Sequence, residues 1–216
     1  MAAKVDKSAL IVWGGMQFHE PQAVAEIFAR ELSAVGFAVT VSDTLESFED
    51  ADKLAGYDLI VPHWTAGQIS DRQLKSVLAA AAGGTGIAGV HGGLGDSFRH
   101  CPQWHYMVGG LWVAHPGDII TYRVDIVDHA DAITADLDSF DVESEQYYML
   151  VDPSNHVLAT TTFAHNGCTM PVAWKRTWGK GRIYYCSLGH VAKEFDIPQV
   201  LTLAIRGMLW AARAAN

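Results

Sequence analysis

Histidine is the residue type best placed to do chemistry in this sequence, with ten copies among 216 residues. Imidazole titrates near neutral pH and is the commonest metal ligand, so histidines gathered at one place can act as bases, acids or ligands. Four of them follow short apolar runs that favour strands: His19, His63, His91 and His190. These four are the first candidates for a functional site.

His91 lies in the segment Gly89-Val90-His91-Gly92-Gly93, which has the outline of a nucleophile elbow. In such a strand-to-helix turn, small flanking residues let one side chain project from the tight backbone. Histidine is a poor acyl-forming nucleophile but a good general base or ligand. The segment therefore predicts base or ligand chemistry, although an ordinary glycine-rich turn would show the same pattern.

Two carboxylates, Glu143 and Glu145, alternate within an apolar and aromatic run that is typical of a strand. One of them could pair with a histidine and hold its tautomer, as carboxylates do in catalytic triads and around metal ligands. A solvated sheet edge would show the same alternation, so both interpretations stay open.

Aromatic side chains and two further histidines surround the same region. His105 and His115 flank a segment long enough to form a wall or lid, and residues 92–117 are expected to be a loop. Trp64, Trp104 and Trp112 could present flat faces to a sugar ring, while core packing is the alternative for each.

Composition narrows the function classes. The 15 basic and 24 acidic residues give a net charge of −9, which disfavours nucleic acid and anionic membranes as partners. Residues 1–7 have no signal-peptide core and no apolar stretch is long enough to span a membrane, so a cytoplasmic location is expected. Three widely spaced cysteines, Cys101, Cys168 and Cys186, predict reduced thiols.

Several common motifs are absent from the sequence. It contains no P-loop, no H-E-x-x-H and no G-x-S-x-G. The stretch Gly84 to Gly89 matches G-x-G-x-x-G but precedes a strand, which is the wrong context for dinucleotide binding. No nucleotide cofactor is expected.

Hydrophobic periodicity predicts the elements that would position these residues. Strands at 9–13, 37–41, 57–62 and 87–90 alternate with helices, which favours a doubly wound parallel sheet. Helical spacing begins after Pro21, after a Ser70–Gln73 capping box, and after an Asp196 cap near the end of the chain. Extended runs at 119–127, 157–162, 172–178 and 182–187 predict a mixed or antiparallel extension. The whole chain, 1–216, is expected to be one domain.

This architecture predicts where a ligand would bind. In open α/β sheets the ligand crevice lies beyond the carboxyl ends of the parallel strands. The four candidate histidines are therefore expected to meet at one rim.

The sequence resembles the trehalose-utilisation, or ThuA-like, family of the class I glutamine amidotransferase-like superfamily. The resemblance covers about residues 12–210 and rests on these segments: Gly14-Gly-Met-Gln-Phe-His-Glu-Pro21, Gly89-Val-His-Gly-Gly93, Glu145-Gln-Tyr-Tyr148, Met170-Pro-Val-Ala-Trp174, Gly179-Lys-Gly-Arg182, Ser187-Leu-Gly-His190 and Arg206-Gly-Met-Leu-Trp210. It implies a flavodoxin-like fold and a role in disaccharide catabolism, including processing of sugars oxidised to a ketone at C3. The amidotransferases carry cysteine at the elbow, where this sequence has His91, so thioester chemistry is not expected.

A 3-keto glycoside can be cleaved by elimination and hydration, which needs a base, an acid and a stabiliser for the enolate. We expect His91 or His190 as base and Glu145 as orienter or acid. His19, with His63 or His115, would serve either as ligands of one divalent metal, zinc being favoured by imidazole ligands, or as stabilisers of the enolate. Substrate contacts are expected from the following residues: Gln17, Trp64, Gly92, Gly93, Trp112 and Tyr147.

Two other function classes remain open at this point. One is a non-catalytic sugar-binding or regulatory module with an amidotransferase-like fold. The other is an amidohydrolase or deglycase that uses one of the three cysteines. A small sugar is the expected partner in the leading interpretation, and base rates alone favour a homodimer.

Overall fold

The computed structural model describes residues 7–213. The strands are β1 (Lys7–Gly15), β2 (Phe37–Ser42), β3 (Leu59–Thr65), β4 (Gly86–Val90), β5 (Gly110–Ala114), β6 (Ile119–Ile126), β7 (Phe140–Glu145), β8 (Tyr148–Val151), β9 (His156–Thr162), β10 (Thr169–Trp178) and β11 (Gly181–Cys186). The α-helices are α1 (Pro21–Ala34), α2 (Ala51–Ala55), α3 (Asp71–Gly83), α4 (Gly92–Gly95), α5 (Pro102–Val108) and α6 (Pro198–Ala211). Short 3-10 helices cover Gln17–His19, Leu45–Phe48 and Ala192–Asp196.

Nine strands form one mixed sheet in the order β2-β1-β3-β4-β11-β10-β9-β6-β7. The first five are parallel, and the remaining pairs are antiparallel. The predicted α/β class is confirmed, with a flavodoxin-like parallel half and an antiparallel extension. Strands β5 and β8 form a separate two-stranded ribbon.

Both faces of the parallel half are buried. On β1, Ile11 packs into a core with α1 and α6, whereas Leu10 and Val12 face a second core with α2, α3 and α5. A strand covered on both faces reads as a nearly continuous apolar run, which is why 9–13 predicts a central strand.

Local signals set two of the three helix starts that the sequence predicts. Ser70 and Gln73 form the predicted capping box of α3, and Pro21 opens α1. The predicted Asp196 cap is wrong. Asp196 ends a 3-10 helix, and α6 begins at Pro198 after Ile197, because proline at the first turn already has helical φ and lacks the N–H that a cap would satisfy.

Residues 92–117 are not the expected loop, because they contain α4, α5 and β5. Trp104 and Met107 are fully buried in the second core, and the Trp104 indole donates to the Leu94 carbonyl at 3.2 Å. Burial removes Trp104 from the sugar-stacking candidates. Packing therefore holds this segment as a fixed wall.

Helix length bears on the expected absence of a membrane span. The helices α1 and α6 have 14 residues each, whereas a spanning helix needs about 20. Between residues 7 and 213, no helix is long and apolar enough to cross a membrane.

Substitution of Gly207 tests how closely α6 packs on the sheet. A Cβ added there would lie 2.1 Å from Cε1 of the buried Tyr184, so Gly207→Ala should lower the free energy of unfolding by about 1–3 kcal/mol in guanidinium titrations. Gly83→Ala is the matched control, since no atom lies within 4 Å of its added Cβ. The control should be neutral or stabilising by up to about 1 kcal/mol. Equal effects of the two substitutions would contradict this packing.

Candidate functional site

Three histidines converge beyond the carboxyl ends of β1, β4 and β11. The ring centroids of His19 and His91 lie 5.0 Å apart, those of His19 and His190 also 5.0 Å, and those of His91 and His190 5.2 Å. This nearly equilateral arrangement follows from the topology, because these strands end at the same edge of the sheet.

His91 occupies an elbow between β4 and α4. Its φ of 47° and ψ of −143° are unusual for a side chain with a Cβ, and such strain persists only where the surroundings hold it. The His91 N–H donates to the Cys186 carbonyl at 2.7 Å, while the Tyr185 hydroxyl donates to the His91 carbonyl at 3.1 Å. The backbone is thus anchored to β11 on both sides of the side chain.

The tautomer of His91 follows from its hydrogen bonds. Nδ1 lies 2.9 Å from the Ser187 carbonyl oxygen, which can only accept, so Nδ1 carries the proton. In the neutral ring Nε2 keeps its lone pair, and in the protonated ring Nε2 carries a second N–H. It lies 2.8 Å from the Tyr147 hydroxyl and 3.2 Å from Glu145 Oε2.

Glu145 ends β7 and is buried among imidazoles, whereas Glu143 is exposed on the same strand. Besides His91, Oε1 of Glu145 lies 3.6 Å from His190 Nε2 and 3.7 Å from His115 Nδ1. Burial alone would raise the pKa of Glu145, but the hydrogen bond and charge of His91, helped by the other two rings, lower it to about 2. The carboxylate is ionised at neutral pH.

His19 and His190 are held in the neutral form. Burial, then the nearby His91 and His190, lowers the pKa of His19 to about 3. Burial and His91 likewise lower the pKa of His190. The His19 Nδ1 atom is 3.0 Å from the Thr65 hydroxyl. Neutral imidazoles are the form that binds metal ions.

Four groups could hold one metal ion. One ligand atom from each of His19, His91, Glu145 and His190 lies within 4.8 Å of the others. Of the histidines predicted as ligands, only His19 is in this group. His115 stands beside Glu145 but outside the group, and His63 is elsewhere.

His63 lies inside β3, which continues to Thr65 instead of ending at the predicted position. Its ring is buried under Gly93, whose added Cβ would be 2.3 Å from His63 Nδ1, and beside Phe28 at 6.0 Å. Neither ring nitrogen has a hydrogen-bond partner among the described residues. Burial, then His91, lowers the pKa of His63 to about 3.

A cleft of about 240 Å³ reaches the cluster at His19 and Glu145, whereas His91 and His190 do not line it. Its lining residues are Met16, Phe18, His19, Asp96, Arg99, Trp112, His115, Glu145 and Tyr147. Of the residues predicted to contact substrate, Trp112 and Tyr147 line this cleft.

Four other predicted contacts lie outside this lining. Gln17 is exposed and bonds the Gly15 carbonyl at 3.3 Å, and the indole of Trp64 covers Gly14. Gly92 and Gly93 are buried against neighbouring side chains, where a Cβ would collide. The glycines serve close packing of the elbow.

Four lining residues were not predicted from the sequence: Met16, Phe18, Asp96 and Arg99. Asp96 is buried and accepts from Arg99 Nε at 2.5 Å and Nη2 at 2.7 Å. The Arg99 guanidinium lies 4.6 Å from the centroid of Trp112 and so covers one face of that ring. The only sequence signal is an acidic and a basic residue three apart just after the glycine-rich elbow.

No cysteine lines the cleft formed by the described residues. Cys186 is buried within β11, where burial raises the pKa of its thiol to about 12. Cys101 lines a different cavity, of about 420 Å³, beside α3. A cysteine-dependent hydrolase therefore gains no support from this geometry.

Comparisons with known proteins agree with the fold. Residues 8–211 match the sequence model of the ThuA family, described as trehalose utilisation. Solved structures of ThuA-like proteins from Bacteroides uniformis and Parabacteroides merdae superpose with TM-scores of 0.82 and 0.77 at 18% and 16% identity. The first match covers 98% of this chain and 93% of the other, and the second covers 97% and 92%.

A cytoplasmic protein from Salmonella typhimurium superposes with a TM-score of 0.69 at 13% identity, over 95% of this chain and 100% of the other. At these identities the structural matches show the fold alone. No sequence among the curated proteins matches the chain.

The buried His63 predicts a pH dependence of stability. Its folded pKa of about 3 lies below the ordinary 6.5, so between these values the unfolded chain binds a proton that the folded chain does not. Stability therefore falls as pH falls through this window. His63→Leu should flatten the dependence of unfolding free energy between pH 4 and 6.5 by up to about 1.4 kcal/mol per pH unit. His129→Leu, at an exposed position, is the control, and identical slopes for both variants would show that His63 is not the cause.

Proposed function

The chain belongs to the trehalose-utilisation (ThuA) family, and we propose that it is an enzyme of disaccharide catabolism that cleaves a disaccharide or its 3-keto derivative. The observation that carries the proposal is the convergence of three imidazoles and an ionised carboxylate, of which His19 and Glu145 line one cleft. A site that only binds a neutral sugar has no need of this cluster. Acid–base or metal-assisted chemistry does need it.

The proposed reaction is elimination followed by hydration. A ketone at C3 acidifies the C2 hydrogen, so a base removes that proton and the electron pair forms an enolate. Collapse of the enolate makes the C1–C2 double bond and breaks the bond from C1 to the glycosidic oxygen, which takes a proton. Water then adds to C1 and C2 regains a proton, so the sum is hydrolysis into two sugars.

We propose that His19, His91, His190 and Glu145 hold one divalent ion, with zinc favoured by the imidazole ligands. The hydrogen bond from His91 Nδ1 to a backbone carbonyl supports this, since metal-binding histidines usually donate their other N–H in this way. A bound ion would supply a Lewis acid for the C3 oxygen, where negative charge collects.

Two titratable groups of the cleft would then be free for proton transfer. His115 Nδ1 has no hydrogen-bond partner among the described residues, and it lies 3.7 Å from Glu145, where an imidazole could take the C2 proton. Tyr147 is neutral because burial raises its pKa well above 10. Its hydroxyl lies 2.8 Å from His91 Nε2 and would donate to the leaving oxygen once Nε2 is engaged as a ligand.

Without an ion, the same cluster supports a second version of the mechanism. His91 or His190 would be the base, and Glu145, 3.2 Å from His91 Nε2, would stabilise the imidazolium that forms. The two versions differ in whether a chelator stops the reaction.

Turnover of 3-keto-trehalose by the purified protein tests the proposal, with unoxidised trehalose run in parallel. We expect release of glucose and keto sugar, lost with chelator and restored by zinc. Turnover that survives chelation would contradict the metal-assisted version and favour the histidines alone. Calorimetric binding of the keto sugar without turnover would contradict the enzyme and favour a sugar-binding module.

Matched histidine variants locate the activity. His19→Ala should lower zinc content from about one ion per chain and reduce kcat by at least 100-fold, as expected when a metal ligand or its support is removed. His129→Ala, at an exposed position remote from the cleft, should change neither. Equal zinc content in the two variants would rule out His19 as a ligand.

A further inference from the structure

Arg99 stands at the mouth of the cleft, above the imidazole cluster. Its side chain is 41% exposed, whereas those of His91 and Glu145 are 1% and 10% exposed. It is the only lysine or arginine among the described residues that line the cleft. In a bound substrate, Arg99 would therefore be nearest to a group that extends away from the buried end of the cleft at the imidazole cluster.

The guanidinium is held in place before any ligand arrives. Asp96 binds two of its nitrogens, and Trp112 stacks against its plane. The backbone beneath it is pinned to the end of β3, because the Ala66 N–H donates to the Asp96 carbonyl at 3.0 Å and the Phe98 N–H donates to the Ala66 carbonyl at 3.1 Å. Phe98 adopts a φ of 50° to make this connection. A donor fixed in this way loses little entropy on binding.

One nitrogen of Arg99 remains available. Asp96 accepts from Nε and Nη2, and no described residue accepts from Nη1. Nη1 carries two N–H groups in the plane of the guanidinium, so it can donate to one or two oxygen atoms.

The charge around Nη1 favours an uncharged acceptor. The buried Asp96 carboxylate already balances the charge of Arg99. A carboxylate on the ligand would meet the negative charge of Asp96 without an uncompensated lysine or arginine to bind it. Hydroxyl oxygens meet no such penalty.

The size of the cleft separates the two units of a disaccharide. Its volume is about 240 Å³, below the roughly 300–1,000 Å³ of sites that enclose drug-sized ligands. One sugar ring fills this space when its reacting carbons lie at the cluster. The second unit must then rest at the mouth, beside Arg99.

We propose that Arg99 is a specificity-determining residue that binds hydroxyl groups of an uncharged leaving sugar. The inference rests on the proposed function, because the floor of the cleft is assigned to the reacting ring. It adds a subsite for the leaving unit, formed by Arg99 with Asp96 and Trp112 as its supports.

Substrates that differ only in the leaving unit test this subsite. We compare kcat/KM for 3-keto-trehalose with that for methyl 3-keto-α-glucoside, whose leaving methanol has no further hydroxyls. Arg99→Lys keeps a charge for Asp96 but loses the planar fork. It should lower kcat/KM for the disaccharide about tenfold, mostly through KM, as expected for a lost hydrogen bond to a charged donor. The methyl glycoside should change less than about twofold, because it makes no contact with Nη1.

Two further variants control for structural damage. The double variant Asp96→Asn with Arg99→Met removes the donor without leaving a buried lone carboxylate, and it should reproduce the selective loss. Arg123→Lys alters an arginine paired with Asp125 on the exposed surface of β6. It should leave kcat/KM unchanged for both substrates.

Equal losses on both substrates would overturn the inference, since Arg99 would then act on the reacting ring or on the cleft wall. A higher kcat/KM for a substrate whose leaving unit is glucuronic acid than for one whose leaving unit is glucose would also overturn it, because that result would show anion recognition. If wild-type protein turns over neither keto sugar, the proposed function fails by itself. In that case calorimetry measures the Kd of each keto sugar for the wild type and for Arg99→Lys. If the substitution does not weaken binding of the disaccharide more than binding of the methyl glycoside, the proposed subsite is wrong.

Discussion

The hydrogen bond from His91 Nδ1 to the Ser187 carbonyl is the interaction on which the rest of the site depends. It fixes a proton on Nδ1 and turns Nε2 toward Tyr147 and Glu145. That bond exists because β4 and β11 are parallel neighbours whose carboxyl ends lie side by side. The backbone at His91 is strained and is held by two hydrogen bonds to β11. The His91 N–H donates to the Cys186 carbonyl, and the Tyr185 hydroxyl donates to the His91 carbonyl.

The two halves of the sheet contribute different chemistry to the cleft. The parallel half supplies His19, His91 and His190 from strand ends at one edge. The antiparallel half ends β7 at Glu145 and turns back through Tyr147 into β8, which pairs with β5. Carboxylate and phenol are thus placed against the imidazoles by long-range pairing. Glu145, at the end of β7 beside the imidazoles, is buried, whereas Glu143 is exposed.

The parallel half could be predicted well from the sequence, because continuous apolar runs and helical spacing are strong local signals. The elbow at His91 and the meeting of three histidines followed from that topology. His63 was assigned wrongly to the rim because strand ends are the least certain part of a sequence reading, and two more residues of β3 turn its ring into the core. Asp96 and Arg99 were missed because their pairing depends on the positive φ of Phe98, which the sequence pattern does not predict.

The central claim is that the C2–H bond of the substrate breaks before the glycosidic bond does. The most direct measurement is the incorporation of deuterium from the solvent at C2 of the product. 3-keto-trehalose is cleaved in D2O and the keto-sugar product is analysed at once by mass spectrometry and NMR, with product incubated without protein as the exchange control. Elimination and hydration predict one deuterium on C2 of the product from the first turnovers, above the control. A product that retains hydrogen at C2 would contradict this account, since direct displacement at C1 never breaks that bond.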